Sequence, residues 1–495
     1  MQPRPLAESP AGDLVPALET PGVVARAWRL LADEALLVAS TATFAAALVW
    51  RLSGQVNQDA WLAFVGGREI TKHGLPHHEA LTVWGHGHVW IDQQWLAQIA
   101  LYGLFVLGGI AYVAAVHAVL TTAAYGTAVV GARRLGGSTR SVLFFLPVCF
   151  WLLIGSTWQV RTQTLTYLPF VALVWLLAAD ARRPSRRVYL ALPLVALWAN
   201  LHGSAVLAAA LVVLRGVAYA FGRSRLRATL LLLAPALLLA SPYGLALAGY
   251  YRDTLFNPAF SSMLNEWQPP RWGPATTPFF ALLVVVAWLV GRARNRVPLF
   301  DVLALAFTGA AGLAATRNLG WFALTALLLA PSLVDRATAR PADARAARLN
   351  AALAVLATVT FLVLLGATLS RPASWFEGRY PVGAADAVAR AAAADPKARI
   401  YADVGYGDWL LWLHPELAGR IAYDARFELL TRRQILAVYS FDVPVGAPWL
   451  QATRGYRLLV LDGAVGKAPI RSFEHEPGAR VLFSGANAAV IERRR

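Results

Sequence analysis

The stretch Asn57–Tyr102, NQDAWLAFVGGREITKHGLPHHEALTVWGHGHVWIDQQWLAQIALY, is the longest polar interruption in the first half of a very apolar chain. It holds Asp59, Glu69, Glu79 and Asp92, and five of the nine histidines: His73, His77, His78, His86 and His88. Titratable groups gathered between apolar segments mark the place where chemistry is expected. Outward from it, 57% of the 495 residues are hydrophobic and 15% charged. The apolar residues come in long runs rather than in amphipathic stripes, which is the pattern of a polytopic α-helical membrane protein.

The formal charge of +17 would suit nucleic acid, but the arginines sit in short connections between apolar runs. That is how topology is written, and nucleic acid is set aside as a partner in favour of membrane lipids. The clusters are Arg133, Arg134 and Arg140; Arg182, Arg183, Arg186 and Arg187; Arg223, Arg225 and Arg227; Arg292, Arg294 and Arg296; and Arg336, Arg340, Arg345 and Arg348. Two spans fit between consecutive clusters, so all five belong on one face, the cytoplasmic one. About 11 transmembrane helices result, in a plasma (inner) membrane. Residues 1–30, polar and rich in Pro and Ala, form a cytoplasmic N-terminal tail without a cleavable signal. Residues 31–370 form the transmembrane domain, with a large first external loop at 51–95. Trp95–Phe105 is expected as an interfacial helix leading into the second span.

After Arg371 the apolar runs shorten to strand length. Helices are expected at YPVGAADAVARAAAA, GDWLLWL and TRRQILAVYSF, and strands at ARIYAD, RIAYDA, RLLVLD, ARVLFS and AAVIERR. The result is an extracytoplasmic α/β domain of about 120 residues over 371–495. The single cysteine, Cys149, lies in an apolar run and excludes a disulfide framework within one chain.

Asp59 follows the first span directly, beside Trp61 and Phe64. A partly desolvated carboxylate there suits a general base; equally, it suits the first turn of a helix opened by NQDAW. His86 and His88, with Glu79 near, have the residue types of a divalent-metal site, although His and Gly are also turn formers. Trp84, Trp90 and Trp95 are expected as interface anchors. Arg161, His202, Glu266 and Arg317 are isolated polar residues at the outer ends of different spans. Converging, they would hold a phosphate head group; apart, the arginines would only snorkel. Asp403, Asp408, Asp424, Arg426 and Glu428 follow expected strands and would line a groove, with Asp424 and Arg426 better read as an ion pair.

The residues QDAWLAFVGGREITKHGLPHHEALT and WIDQQWLAQIALY resemble the first external loop of GT-C superfamily glycosyltransferase-like bacterial integral membrane proteins, in an uncharacterised branch. The shared pattern is an Asp soon after the first span, an HG-x-P turn and a W-x-[DN]-x-x-WL phrase. RTQTLTYLPF, LWANLHGS, NEWQPP, ATRNLGWFAL, GYGDWLLWLHPE and YDARFELL resemble later landmarks. The resemblance implies transfer of a sugar, with inversion, from a polyprenyl-phosphate-linked donor to a glycan, lipid or protein acceptor of the cell envelope. It implies Asp59 as general base, and Arg161, His202 and Arg317 as holders of the departing lipid phosphate. The chain departs from the pattern in lacking a second acid beside Asp59, where it has Ala60, and in the acid-free STWQVRTQ loop. Glu266 or Asp92 would then substitute, with Asp92 and Trp95 next to the substrate. Two other readings fit the same residues: a carrier or flippase for lipid-linked saccharides, and a catalytically inactive assembly partner.

Overall fold

The computed structural model describes residues 34–54, 56–221, 224–293, 296–338, 347–442, 452–463 and 467–493. The expected tail at 1–30 lies outside them, as do Arg223, Arg294, Arg340 and Arg345. The chain is a multi-pass membrane protein with a small C-terminal sheet. Five helices are long and apolar enough to cross a membrane: Trp95–Arg134, Thr139–Thr157, Thr164–Arg182, Thr316–Thr338 and Leu349–Leu369. Beside them stand four shorter apolar helices, Ala35–Trp50, Ala205–Ala220, Thr277–Ala293 and Leu299–Ala314. Two further apolar stretches are broken, each by a 3-10 turn: Arg186–Leu190 before the helix Ala191–Trp198, and Ala234–Leu239 after the helix Arg225–Leu232. The count of 11 thus stays an expectation, because several passes are not single long helices.

Among the described residues, arginines of these clusters, joined by Arg215, neutralise acids that the helices carry inward. Arg182 pairs with Asp301 at 2.7 Å, and Arg215 pairs with Asp180 at 2.8 Å. Arg133 reaches Glu34 at 2.8 Å, and Asp335 accepts from the Ser138 and Ser141 hydroxyls at 2.8 and 2.7 Å. Arg227 donates to Tyr219, which donates to Asp180 at 2.6 Å. A buried acid is tolerated only with such partners.

The helix Trp95–Arg134 bends at Gly108 and Gly109. Gly109 has φ 67° and ψ −168°, a region open in practice to glycine alone, so the bend is written in the sequence. Its first half packs against the helix Gln58–His73, which occupies the front of the first loop. Gly67 permits the close approach: a Cβ there would stand 2.5 Å from Tyr102 Cβ and overlap the Gln98 carbonyl.

The C-terminal domain begins after Leu369. Its sheet has the order β1-β2-β4-β3, with β1 Ile400–Ala402, β2 Leu458–Asp462, β3 Arg480–Ser484 and β4 Ala488–Glu492. β1 and β2 are parallel, and β4 runs antiparallel to both β2 and β3. The helices Val382–Ala394, Gly407–Leu413 and Arg432–Asp442 stand where the sequence pattern predicts them. RIAYDA is the exception. It is no regular strand; Ile421 makes single parallel bridges to Ile400 on one side and to Thr82 of the first loop on the other. The loop continues the contact, with Val83 N donating to Ile421 O at 2.7 Å and Trp84 N to Ala422 O at 2.9 Å.

That junction overturns the reading of the loop tryptophans as membrane-interface anchors. Trp84 stacks on Tyr423 with centroids 5.0 Å apart, and Trp90 is buried under the Arg426 guanidinium at 4.2 Å. Trp95 donates its indole N–H to Asn200 Oδ1 at 2.9 Å. Each ring ties the loop to protein rather than to lipid.

Candidate functional site

Asp59 lies in the first turn of the helix Gln58–His73, where a carboxylate is favoured by the unpaired N–H groups and the helix dipole. The helix is fixed from behind. Trp61 and Phe64 are fully buried, their rings 6.5 and 5.5 Å from that of Trp412, and Arg68 caps the helix Gly407–Leu413. Its Nη1 donates to Trp412 O at 2.9 Å and its Nη2 to Leu411 O at 2.8 Å. Asp59 is therefore held by two structured domains at once.

Facing it is Arg161, which follows the helix Thr139–Thr157. Arg161 Nε stands 2.8 Å from Asp59 Oδ2, and its Nη1 donates to Glu266 Oε2 at 3.1 Å. The other oxygen of Glu266 is 3.7 Å from Arg317 Nη1. Arg317 in turn lies over the Trp267 ring at 4.3 Å. The four charged side chains thus alternate as Asp59, Arg161, Glu266, Arg317.

His202 completes the group. The Ser204 backbone N–H donates to its Nδ1 at 3.1 Å, which assigns Nδ1 as the acceptor and leaves Nε2 to carry the proton. The Ser204 hydroxyl, 2.9 Å from the same nitrogen, also accepts from Trp198 Nε1 at 3.1 Å. Burial, with the charges of Arg317 and Arg161, pushes the imidazole down to about 3, so it is a neutral donor at physiological pH.

These side chains line one cavity of about 380 Å³, together with Gln93, Tyr250, Trp267, Arg426 and Glu428. Burial opposes the charge of Glu266, but Arg317 and Arg161 more than offset it and hold the carboxyl below its ordinary value. Burial opposes the charge of Arg161 as well, and Asp59 and Glu266 outweigh it. For Glu428 the balance is reversed: Arg426 favours its charge but does not offset burial. Ringed by protein but open to the cavity, it is pushed up to about 7 by burial.

The cavity excludes several expected members. Asp92 is buried with its Oδ1 accepting from Gln94 N at 3.3 Å and Gln98 Nε2 at 3.1 Å, and burial raises it to about 7. Neither Asp92 nor Trp95 lines the cavity; Asp92 is bound within the loop, and Trp95 ties the loop to Asn200. His86 and His88 are exposed, and Glu79 is taken by the Leu81 and Thr82 N–H groups at 2.7 and 2.8 Å and by Arg426. Among the described residues no group of three or more His, Cys, Asp or Glu side chains gathers as a metal site. Asp59 and Glu266 have a guanidinium between them. In the C-terminal domain Asp424 pairs with Arg426, while Asp403 and Asp408 are buried away from the cavity. Only Arg426 and Glu428 of the five expected groove residues reach it. Gln93 and Tyr250 also reach it without any sequence signal, being an amide and a phenol among many.

No protein-family model matches the chain, and no curated protein does. Solved structures do. The oligosaccharyltransferase AglB from Archaeoglobus fulgidus, in complex with an inhibitory peptide and a dolichol-phosphate, superposes with a TM-score of 0.52. The match has 10% identity and covers 86% of this chain and 69% of that one. The fold is GT-C-like. ArnT from Cupriavidus metallidurans bound to undecaprenyl phosphate gives 0.48 at 14% identity, covering 94% of this chain and 98% of that one. The mycobacterial arabinofuranosyltransferase AftD gives 0.49 at 16% identity, covering 92% of this chain and 39% of that one. The GT-C-like assignment rests on the first of these and on the arrangement of helices and terminal sheet above.

Proposed function

We propose that this GT-C-like protein is a glycosyltransferase that moves a sugar from a polyprenyl-phosphate-linked donor to a hydroxyl group of a cell-envelope glycan, lipid or protein. The reaction would take place on the outer face of a plasma (inner) membrane, with the N-terminus cytoplasmic and the C-terminal domain outside. The observation that carries the reading is the convergence of Asp59, Arg161, His202 and Arg317 on one cavity. Support for the lipid half comes from AglB, which shares the fold and was solved with a dolichol-phosphate.

In this reading the donor phosphate seats against Arg161 and Arg317, with the His202 Nε2–H as a neutral third donor. As the acceptor oxygen attacks the anomeric carbon, the bond from that carbon to the phosphate oxygen breaks and its electron pair leaves with the phosphate. The phosphate gains a negative charge, which the fixed guanidiniums stabilise most when it is fully developed. The acceptor proton passes to Asp59, on the opposite side of the sugar, and the configuration inverts. Seating the phosphate draws Arg161 off Asp59, so the base is released as the donor arrives.

The test is transfer of radiolabelled sugar from polyprenyl-phosphate donors into membrane extract by wild type and Asp59→Asn. Transfer by the wild type, reduced about 100-fold or more in a folded Asp59→Asn, is expected for loss of a general base. Equal transfer by the two proteins removes Asp59 from that role. A topology reporter fused at Arg495 is expected to report the outer face; a cytoplasmic signal would invert the whole arrangement.

A further inference from the structure

Glu266 has no part in the reaction just described, yet it is placed between both cationic side chains that the reaction needs. Its two oxygens are divided between Arg161 and Arg317, at 3.1 and 3.7 Å. Two guanidiniums held by one carboxylate are also the arrangement that a bound phosphate would require.

The backbone around Glu266 is fixed. It belongs to a single 3-10 turn, Asn265–Trp267, stapled to the turn Thr316–Asn318 that carries Arg317. The Thr316 hydroxyl donates to Asn265 O at 3.2 Å and to Glu266 O at 3.1 Å, and Thr316 N donates to Gln268 O at 3.0 Å. Trp267 packs on Phe260 with centroids 5.3 Å apart. The side chain, by contrast, lines the cavity and is 42% exposed. The carboxylate can leave the arginines by rotation of the side chain while the backbone stays in place.

We propose that Glu266 is an internal anion that occupies the phosphate seat between Arg161 and Arg317 in the empty protein, yields it to the lipid phosphate of the donor, and returns to help expel the phosphate product. The inference rests on the phosphate reading of the cavity. Its physical ground is a charge imbalance. A sugar-linked phosphodiester carries one negative charge, and the released monoester carries up to two near neutral pH. Two bare arginines would hold the product more tightly than the substrate. A tethered carboxylate competes with both, and by keeping the guanidiniums paired it holds the empty site near neutrality.

The experiment is titration of the purified protein in detergent micelles with farnesyl phosphate, with farnesol as the uncharged control and inorganic phosphate as the free anion. Glu266→Gln is expected to bind farnesyl phosphate about tenfold more tightly than wild type, a change of about 1.4 kcal/mol. Farnesol binding should not change. A gain with either phosphate ligand supports the proposal, and a gain with inorganic phosphate alone assigns the seat to a free anion. Unchanged or weaker binding of both by a folded Glu266→Gln overturns it, with Glu266→Asp as the check that the turn is intact. Arg161→Gln and Arg317→Gln read the underlying assumption separately. If neither weakens binding, the arginines are no phosphate seat and both readings fall; if they weaken it while Glu266→Gln does not strengthen it, only the role of Glu266 falls. Absence of binding by wild type and Glu266→Gln alike refutes both.

Discussion

Replacing Arg426 by Met should separate the first loop from the C-terminal domain. The Arg426 side chain is 1% exposed and lies between Glu79 at 0% and Asp424 at 3%. Its Nε donates to the Asp424 oxygens at 3.1 and 2.9 Å, its Nη1 meets Glu79, and its plane covers Trp90. Methionine keeps an unbranched apolar stem and removes the guanidinium, leaving two buried carboxylates without their cation. Breaking a buried ion pair from one side costs about 3–5 kcal/mol. With an unfolding entropy of about 2.1 cal/mol/K per residue, a domain of about 120 residues melting by itself would lose roughly 15 °C. The whole described chain melting as one unit would lose only about 4 °C, so the size of the shift also reports the cooperative unit. The assay is thermal unfolding in detergent followed by tryptophan fluorescence, since Trp84 and Trp90 sit at the junction. Glu79→Gln should cost less, because Arg426 keeps Asp424. A shift within about 1 °C for Arg426→Met, or a larger loss for Glu79→Gln, would refute the assignment of this triad as the junction.

Two further outcomes follow from single residues. The Asp92 carboxyl is raised by burial to about 7 from an ordinary value near 3.8, so the stability it contributes is present at low pH and lost as the pH climbs through 7. Relative to wild type, the unfolding temperature of Asp92→Asn should climb between about pH 4 and pH 7 and then level off; a relative fall over that range would place the ionised form in the native state. Gly109→Ala should cost about 1–3 kcal/mol for its backbone conformation, seen as a lower unfolding midpoint. Gly103→Ala on the same helix, where a Cβ meets nothing within 4 Å, is the matched control and should be neutral or slightly stabilising.

What the sequence makes legible depends on the range of the force involved. Apolar run length and arginine placement report membrane partitioning residue by residue, so the bundle and its arginine-bearing connections are readable directly. The same holds for strands such as β2 and β4, which lie at the centre of the sheet and are apolar up to their last residues, Asp462 and Glu492. RIAYDA misleads because Ile421 has strand character on both sides while Asp424 and Arg426 turn inward to pair with each other and with Glu79. In the site, Asp59, Arg161, His202, Glu266 and Arg317 stand out as isolated polar residues at the ends of apolar runs. Their pairing does not: Arg161 and Glu266 are 105 positions apart, and composition says nothing about which acid faces which arginine. Asp92 and Trp95 lie outside the cavity lining for the complementary reason. Both have the right residue type in the right loop, but one is turned into protein and the other uses its N–H on Asn200.

The contact between the first loop and the domain beyond the last span also sets a schedule for making this protein. Arg68 finds Trp412 across 344 positions, and Trp84 can stack on Tyr423 only after every intervening helix has left the ribosome. At about 5–20 residues per second, translation alone separates the two halves by roughly 20–70 s. Through that interval the loop carrying Asp59 waits without its partner surface, its tryptophans and Glu79 available to wrong neighbours. The wall of the cavity formed by Arg426 and Glu428 is among the last parts to be supplied, so a chain halted before them would be inserted in the membrane with an incomplete site.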